Sequence, residues 1–178
     1  MLSVLISQTH KLRAIEPGDV EQLLAWENDA STWWLGASLS PYSKAVMIKY
    51  AEGGHDIYRD KQLRLILDTC NEEGQWRTVG AVDLYDYDPR NHRAGVGIVI
   101  DQNERRNGNA FVGLEMLSKY AFEHLGVHQL YAEVPGGHYP SIGLFKKAGY
   151  VGDEVRKDWV RKGSIWKDVI LLQKFAEN

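Results

Sequence analysis

Cysteine is nearly absent: Cys70 stands alone among 178 residues. This excludes a disulfide framework within the chain and any cysteine-only metal cluster. The run from Leu65 to Cys70 is apolar, so the thiol reads as a packed side chain rather than a nucleophile. A surplus of positive charge is also missing. Lys and Arg total 21 against 24 Asp and Glu, a formal net charge of −3, which disfavours a phosphate-driven nucleic-acid binder. Long apolar runs are missing too. Met1 to Ile6 is apolar but has no basic lead and gives way at once to Gln8, Thr9 and His10. No signal peptide and no membrane span of ~20 residues is read there, so the expectation is a cytoplasmic protein with no membrane or nucleic-acid partner. The histidines suggest no metal site.

What is present is an ordinary globular composition. The apolar share is 44%, enough for a sizeable core, and the length suits one domain over residues 1–178. The aromatic share is 11%, with six tryptophans. Composition leaves open whether those rings fill a core or line a site.

The pattern of elements is readable. A short strand is expected near Lys11 to Ile15, then a helix with Val20, Leu23, Leu24 and Trp26 on its apolar face. Asn28 to Ser40 reads as a loop holding Trp33 and Trp34, and Pro41 as the opening of a second helix. Leu63 to Thr69 and Thr78 to Tyr85 read as a hairpin around Asn71-Glu72-Glu73-Gly74. Ala94 to Ile100 is an apolar strand, Asp101 to Asn109 a polar loop, and Ala110 to Leu125 the clearest helix. A strand over Gln129 to Val134, a helix near Ser141 to Ala148 and a strand pair, Tyr150 to Trp159 and Ile165 to Phe175, complete the chain. That order implies an α/β (α+β) domain around one mixed sheet.

The segment Arg105-Arg106-Asn107-Gly108-Asn109-Ala110 carries the chemistry. It joins an apolar strand to the best helix. Gly108 permits a positive φ, and successive amides there converge with the free N–H groups of the helix start. Such a turn attracts a pyrophosphate without a metal, and the same residues also suit an ordinary turn before a helix. The P-loop pattern is absent, and Gly95-Val96-Gly97 continues as strand, so the dinucleotide fingerprint is absent as well.

Arg105-x-x-Gly108-x-Ala110 resembles the Arg/Gln-x-x-Gly-x-Gly/Ala signature of the GNAT superfamily of acyl-CoA N-acyltransferases. Asp86 to Ala94, and Ser141-Ile142-x-Leu144-Phe145-x-Lys147-x-Gly149-Tyr150, resemble the branch that acetylates spermidine and ribosomal-protein N-termini. Leu12-Arg13-Ala14 and Asp19 resemble its start. The likeness spans roughly Leu12 to Phe175. It implies a mostly antiparallel sheet with a splayed strand pair and flanking helices. It implies acetyl-CoA as co-substrate, held by the backbone of Ile98, Val99 and Ile100 and by the loop Arg105, Arg106, Asn107, Gly108, Asn109, Ala110 and Phe111. His138, Ser141, Phe145 and Lys147 would flank the other side. The acceptor would be a small amine, a polyamine or a protein N-terminus, and the branch often forms homo-oligomers.

Direct attack of an amine on a thioester needs no covalent enzyme intermediate, in keeping with the missing nucleophile patterns. It needs a proton acceptor, an oxyanion donor and a leaving thiolate. Against the branch pattern, Gly95 replaces a common Glu, His138 a common Asn, and Phe145 the usual proton-donating Tyr. Candidate catalytic residues are therefore His138, Glu133, Asp83 and Tyr139, each also readable as structural. Trp33 and Trp34 are candidate acceptor walls through cation–π contact, and Glu27, Asp29 and Asp56 candidate charges for a cationic acceptor. Two alternatives stay open: an acyl-CoA-binding module without catalysis, and an aminoglycoside-type N-acetyltransferase.

Overall fold

Among the described residues, every neighbouring pair of strands runs antiparallel except one. The computed structural model describes residues 3–36 and 40–177. Seven strands, β1 (His10–Arg13), β2 (Leu63–Cys70), β3 (Trp76–Asp88), β4 (Arg93–Ile100), β5 (Gln129–Pro135), β6 (Val151–Lys162) and β7 (Ile165–Phe175), lie in the order β1-β2-β3-β4-β5-β7-β6. The helices are α1 (Val20–Glu27), α2 (Lys44–Glu52), α3 (Ile57–Asp60), α4 (Asn109–Glu123) and α5 (Tyr139–Lys147).

β4 and β5 are the parallel pair, and they stay together for only three registered residues: Arg93 with Gln129, Ala94 with Leu130, Gly95 with Tyr131. Beyond Gly95, β4 keeps its ladder to β3 as far as Ile100 opposite Gly80. Beyond Tyr131, β5 keeps its ladder to β7 as far as Pro135 opposite Val169. Each strand follows its other neighbour, so the two part into a wedge. The expected splayed pair is thus present, and residues 96–100 and 132–135 face one another without a shared ladder.

The two faces of the sheet are covered by different helices. On one face Leu114, Leu117 and Ala121 of α4 and Phe145 of α5 pack with Leu67, Val82, Leu84, Ala94, Val96, Leu130 and Leu172. The helical spacing of Leu114, Leu117 and Ala121 puts all three, fully buried, on one side. Burying each leucine contributes about 1.5–3 kcal/mol. On the other face Val20 and Leu23 of α1 and Met47 and Ala51 of α2 pack with Ile66 and Ala81.

The hairpin between β2 and β3 forms as expected, because the Asn71 side-chain oxygen accepts from the N–H groups of Glu73 and Gln75. The second helix starts later than Pro41: Ser43 is its cap, accepting from the Val46 N–H, and Lys44 is its first residue. α3, a single turn capped by Asp56, was hidden by Gly53, Gly54 and its shortness. The expected loop over residues 28–40 contains a 3-10 turn, Trp33–Leu35, and its residues 37–39 lie outside the described residues, as do Met1 and Leu2.

Candidate active site

The wedge has two mouths because its walls reach both faces of the sheet. The mouth on the α4 side is formed by the loop that ends β4. Gly108 sits at φ +81 and caps α4, and Arg106 also adopts the left-handed region, at φ +66. This alternation turns successive amides toward one point ahead of the helix, whose first N–H groups have no partner within the helix. The Arg105 Nε donates to the Ile100 carbonyl at 3.3 Å, tying the loop back to β4. Lys147 of α5 brings its ammonium 4.7 Å from the centre of the Phe111 ring, so the two helices flank this mouth with one charge and one ring. Ser141 lies half-buried in the first turn of α5.

One residue of that loop faces inward. Asn109 is buried, its side-chain oxygen 3.0 Å from His10 Nε2 and its amide donating to the Glu104 carbonyl at 3.2 Å. Its side chain is an anchor to β1, leaving its backbone N–H for a ligand. Ile98 and Ile100 turn their side chains into the α4-side core, and Val99 packs on the opposite face. The backbone of these three borders the wedge.

The mouth on the α1 side carries the polar side chains. Gly97 pairs with Asp83 of β3, whose Cβ would lie 3.4 Å from any side chain at Gly97. Asp83 is 7% exposed and receives two bonds from Arg64, at 2.7 and 3.2 Å. Arg64 also donates to Glu27 of α1 at 2.6 Å. Burial works against the Arg64 charge, but Asp83 and Glu27 more than offset this and hold the guanidinium above its ordinary value. Glu133 of β5 is paired with Arg156 of β6, whose guanidinium lies 5.1 Å over the Trp159 ring.

Tyr85 closes the root of the wedge. Its ring lies across Gly95, where an added Cβ would come within 2.3 Å of it, and it meets Tyr131 edge-on at 6.0 Å. Its hydroxyl meets the main chain at Glu133. Burial, reinforced by the Glu133 carboxylate, pushes this hydroxyl up, so it stays protonated. The chain thus spans from β3 over β4 to β5 at the last registered pair.

His138 sits where β5 runs into α5, half-buried, with Trp34 edge-on at 6.1 Å. The other face of the mouth comes from the β6–β7 hairpin, whose Lys162 places its ammonium 4.0 Å from the centre of the Trp34 ring. Burial lowers the His138 imidazole below its usual value, and the charges of Arg105 and Lys162 push the same way. Trp33 instead donates its indole N–H to the Glu27 carbonyl at 2.8 Å, closing the end of α1.

The remaining candidates part company. Tyr139 is 77% exposed, while Phe145 is 4% exposed and packs edge-on against Tyr150 at 5.0 Å. A Tyr139 hydroxyl beside Phe145 is therefore not what the fold builds: the first turn of α5 sends Tyr139 to solvent and the next sends Phe145 inward. Asp56 is the cap of α3, its side chain accepting from the Tyr58 and Arg59 N–H groups. The sequence did not reveal Arg64, Tyr85, Lys162 or the His10–Asn109 contact. Only the small residue at Gly95 hinted that something bulky crosses there. Among the described residues no group of His, Cys, Asp or Glu can hold a metal ion.

Residues 11–151 match the family model described as the acetyltransferase (GNAT) domain. The chain belongs to the GNAT acetyltransferases. Solved structures agree on the fold. A spermidine N-acetyltransferase from Vibrio cholerae, in complex with CoA and spermine, superposes with a TM-score of 0.80 at 18% identity, covering 95% of this chain and 96% of that one. A dodecameric form of a spermidine N-acetyltransferase from the same organism gives 0.75 at 19% identity, covering 95% of each chain. A probable acetyltransferase gives 0.73 at 20% identity, covering 95% and 94%. No curated protein sequence matches significantly. As a GNAT acetyltransferase the chain uses acetyl-CoA as co-substrate and acetylates an amine.

Proposed function

We propose that acetyl-CoA enters this GNAT domain from the α4 side and that the amine enters from the α1 side, so that they meet in the wedge. The observation that carries this is the end of the β4–β5 ladder at Gly95 and Tyr131, beside the start of α4. The amides around Gly108 and the first N–H groups of α4 hold the pyrophosphate, with Arg105 and Arg106 adding charge. The backbone groups of residues Ile98, Val99 and Ile100 that point away from β3 bind the pantetheine arm. An N–H there stabilises the oxyanion that forms when the amine adds to the thioester carbonyl.

His138 is the proton acceptor in this reading. An alkyl amine of pKa near ~10.4 is neutral in only about one molecule in 10³ at pH 7, a penalty of ~4–5 kcal/mol. A base held neutral beside the wedge offsets it. Asp83 and Glu133 have arginines on their oxygens, and Tyr139 points to solvent, so none competes with His138 for this role. Phe145 offers no proton to the leaving thiolate. A CoA thiol of pKa near ~8.5 departs without one.

The acceptor is a small amine, a polyamine or a protein N-terminus. Initial-rate measurement of CoA release across a panel of these tests the reading. Turnover with at least one amine is expected. Tight acetyl-CoA binding without any turnover supports the second reading, a binding module, which the buried and hydroxyl-free Phe145 favours. We place the protein in the cytoplasm: no helix among the described residues is long and apolar enough to cross a membrane. We also propose a homo-oligomer. The dodecameric relative supports it, as do Val151, Val155 and Trp159, exposed along the edge strand β6.

A further inference from the structure

We propose that the acceptor side of the wedge selects an amine carrying a single positive charge, such as the α-amine of a peptide or a simple monoamine, over polycations. The proposal rests on the assignment of that mouth to the acceptor and narrows its substrate class.

A polyamine brings several ammonium groups, and each needs a carboxylate or an open aromatic face to replace its water. The carboxylates and the ring that border His138 and Arg64 at this mouth are already held by the protein's own cations. Glu27 and Asp83 share the Arg64 guanidinium. Glu133 is held by Arg156. Asp29 accepts from the Ser31 N–H and the Gln102 amide, and Asp101 from Trp26, Gln22 and the Asn103 N–H; both stay charged, and both feel the positive charge of Arg105. Arg64 thus holds both Glu27 and Asp83, Arg156 holds Glu133, and Lys162 and Arg105 add two further positive charges around His138. Asp86, next to Tyr85, is turned out to solvent at φ +48, where water screens it.

The aromatic platform is taken as well. Trp34 is the ring that a second ammonium would use, and Lys162 already lies over it at 4.0 Å. A polycation entering here meets the protein's own ammonium first. An acceptor with one amine and an uncharged remainder meets no such conflict, because its only cationic group is the one that loses its proton to react. Specificity here comes from a repulsive element, Lys162, as much as from an attractive one.

The test compares kcat/KM for spermidine with that for a C-terminally amidated peptide of uncharged side chains, using the full chain and saturating acetyl-CoA. The peptide is expected to lead by about tenfold or more. In Lys162→Glu the ratio is expected to move about tenfold toward spermidine. The ratio cancels any common effect on His138, and Lys162 is exposed, so the variant folds. A wild-type preference for spermidine, or a ratio unmoved in Lys162→Glu, overturns the proposal. Absence of turnover with every amine, beside tight acetyl-CoA binding by calorimetry, overturns the enzymatic reading and this proposal with it.

Discussion

His10 Nε2 and Asn109 Oδ1 lie 3.0 Å apart across 99 residues of sequence, both side chains buried. The Asn109 amide nitrogen donates to the Glu104 carbonyl, so its oxygen faces His10 and the imidazole must donate from Nε2. The contact fixes the first residue of α4, and with it the amides ahead of the helix. Asn109→Ala is expected to cost about 1–3 kcal/mol of stability, since it strands a buried donor. It is also expected to raise the Kd for acetyl-CoA more than it lowers kcat. Asn109→Asp keeps an acceptor for His10 and falls between the two. Denaturant unfolding and calorimetry read these effects. An unchanged Kd in Asn109→Ala removes the link between this anchor and the loop.

Gly108 adopts φ +81 with open space around its missing side chain. Its replacement therefore costs backbone strain of roughly 1–2 kcal/mol and no collision with the fold. Gly108→Trp also places an indole over the amides proposed for the pyrophosphate. The expected result is a native circular dichroism spectrum with acetyl-CoA binding abolished. Binding at the wild-type affinity counts against the cofactor site.

Tyr85 and Gly95 are complementary in shape. Gly95→Ala forces a Cβ to within 2.3 Å of the Tyr85 ring, and overpacking of this kind costs about 1–3 kcal/mol. Tyr85→Ala alone leaves a cavity at the root of the wedge. In the double variant the ring that Gly95→Ala would strike is gone. The pair should therefore destabilise less than the sum of the singles, with coupling of about 0.5–3 kcal/mol. Additive costs in urea unfolding rule the coupling out.

The pH dependence has a definite sign. The His138 imidazole is held below the ~6.5 of a free histidine, so it is neutral and able to accept a proton at pH 7. As pH falls through its lowered value the ring protonates and kcat/KM for the amine falls. That acid limb is expected below pH ~6.5. His138→Ala should remove the limb and reduce kcat by about 10²–10⁴-fold. A limb that persists unchanged in His138→Ala assigns the base elsewhere.

Much of the fold is legible because it depends on local pattern. The helical spacing of Leu114, Leu117 and Ala121 marks α4, and the turn chemistry of Asn71 to Gly74 marks the β2–β3 hairpin. The loop at Gly108 is legible for the same reason: its φ and its place before a helix are short-range properties. The helix starts at Ser43 and Asp56 are less so. A capping side chain competes with neighbouring breakers, Pro41 in one case and Gly53-Gly54 in the other.

The acceptor side was not legible to the same degree. Glu27, Arg64 and Asp83 come from α1, β2 and β3, and nothing in their spacing says that one guanidinium will hold both carboxylates. Trp33 and Trp34 are adjacent and chemically alike in sequence. Only the turn at the end of α1 sends one to a backbone carbonyl and the other to His138 and Lys162. Ion pairs and ring contacts between distant segments depend on where the sheet brings them. The sequence by itself determined a single cysteine, a near-balanced charge, a phosphate-suited turn and a family likeness. The tertiary structure decided which of its many carboxylates and rings remain available to a substrate, because each was claimed or freed by a partner far along the chain.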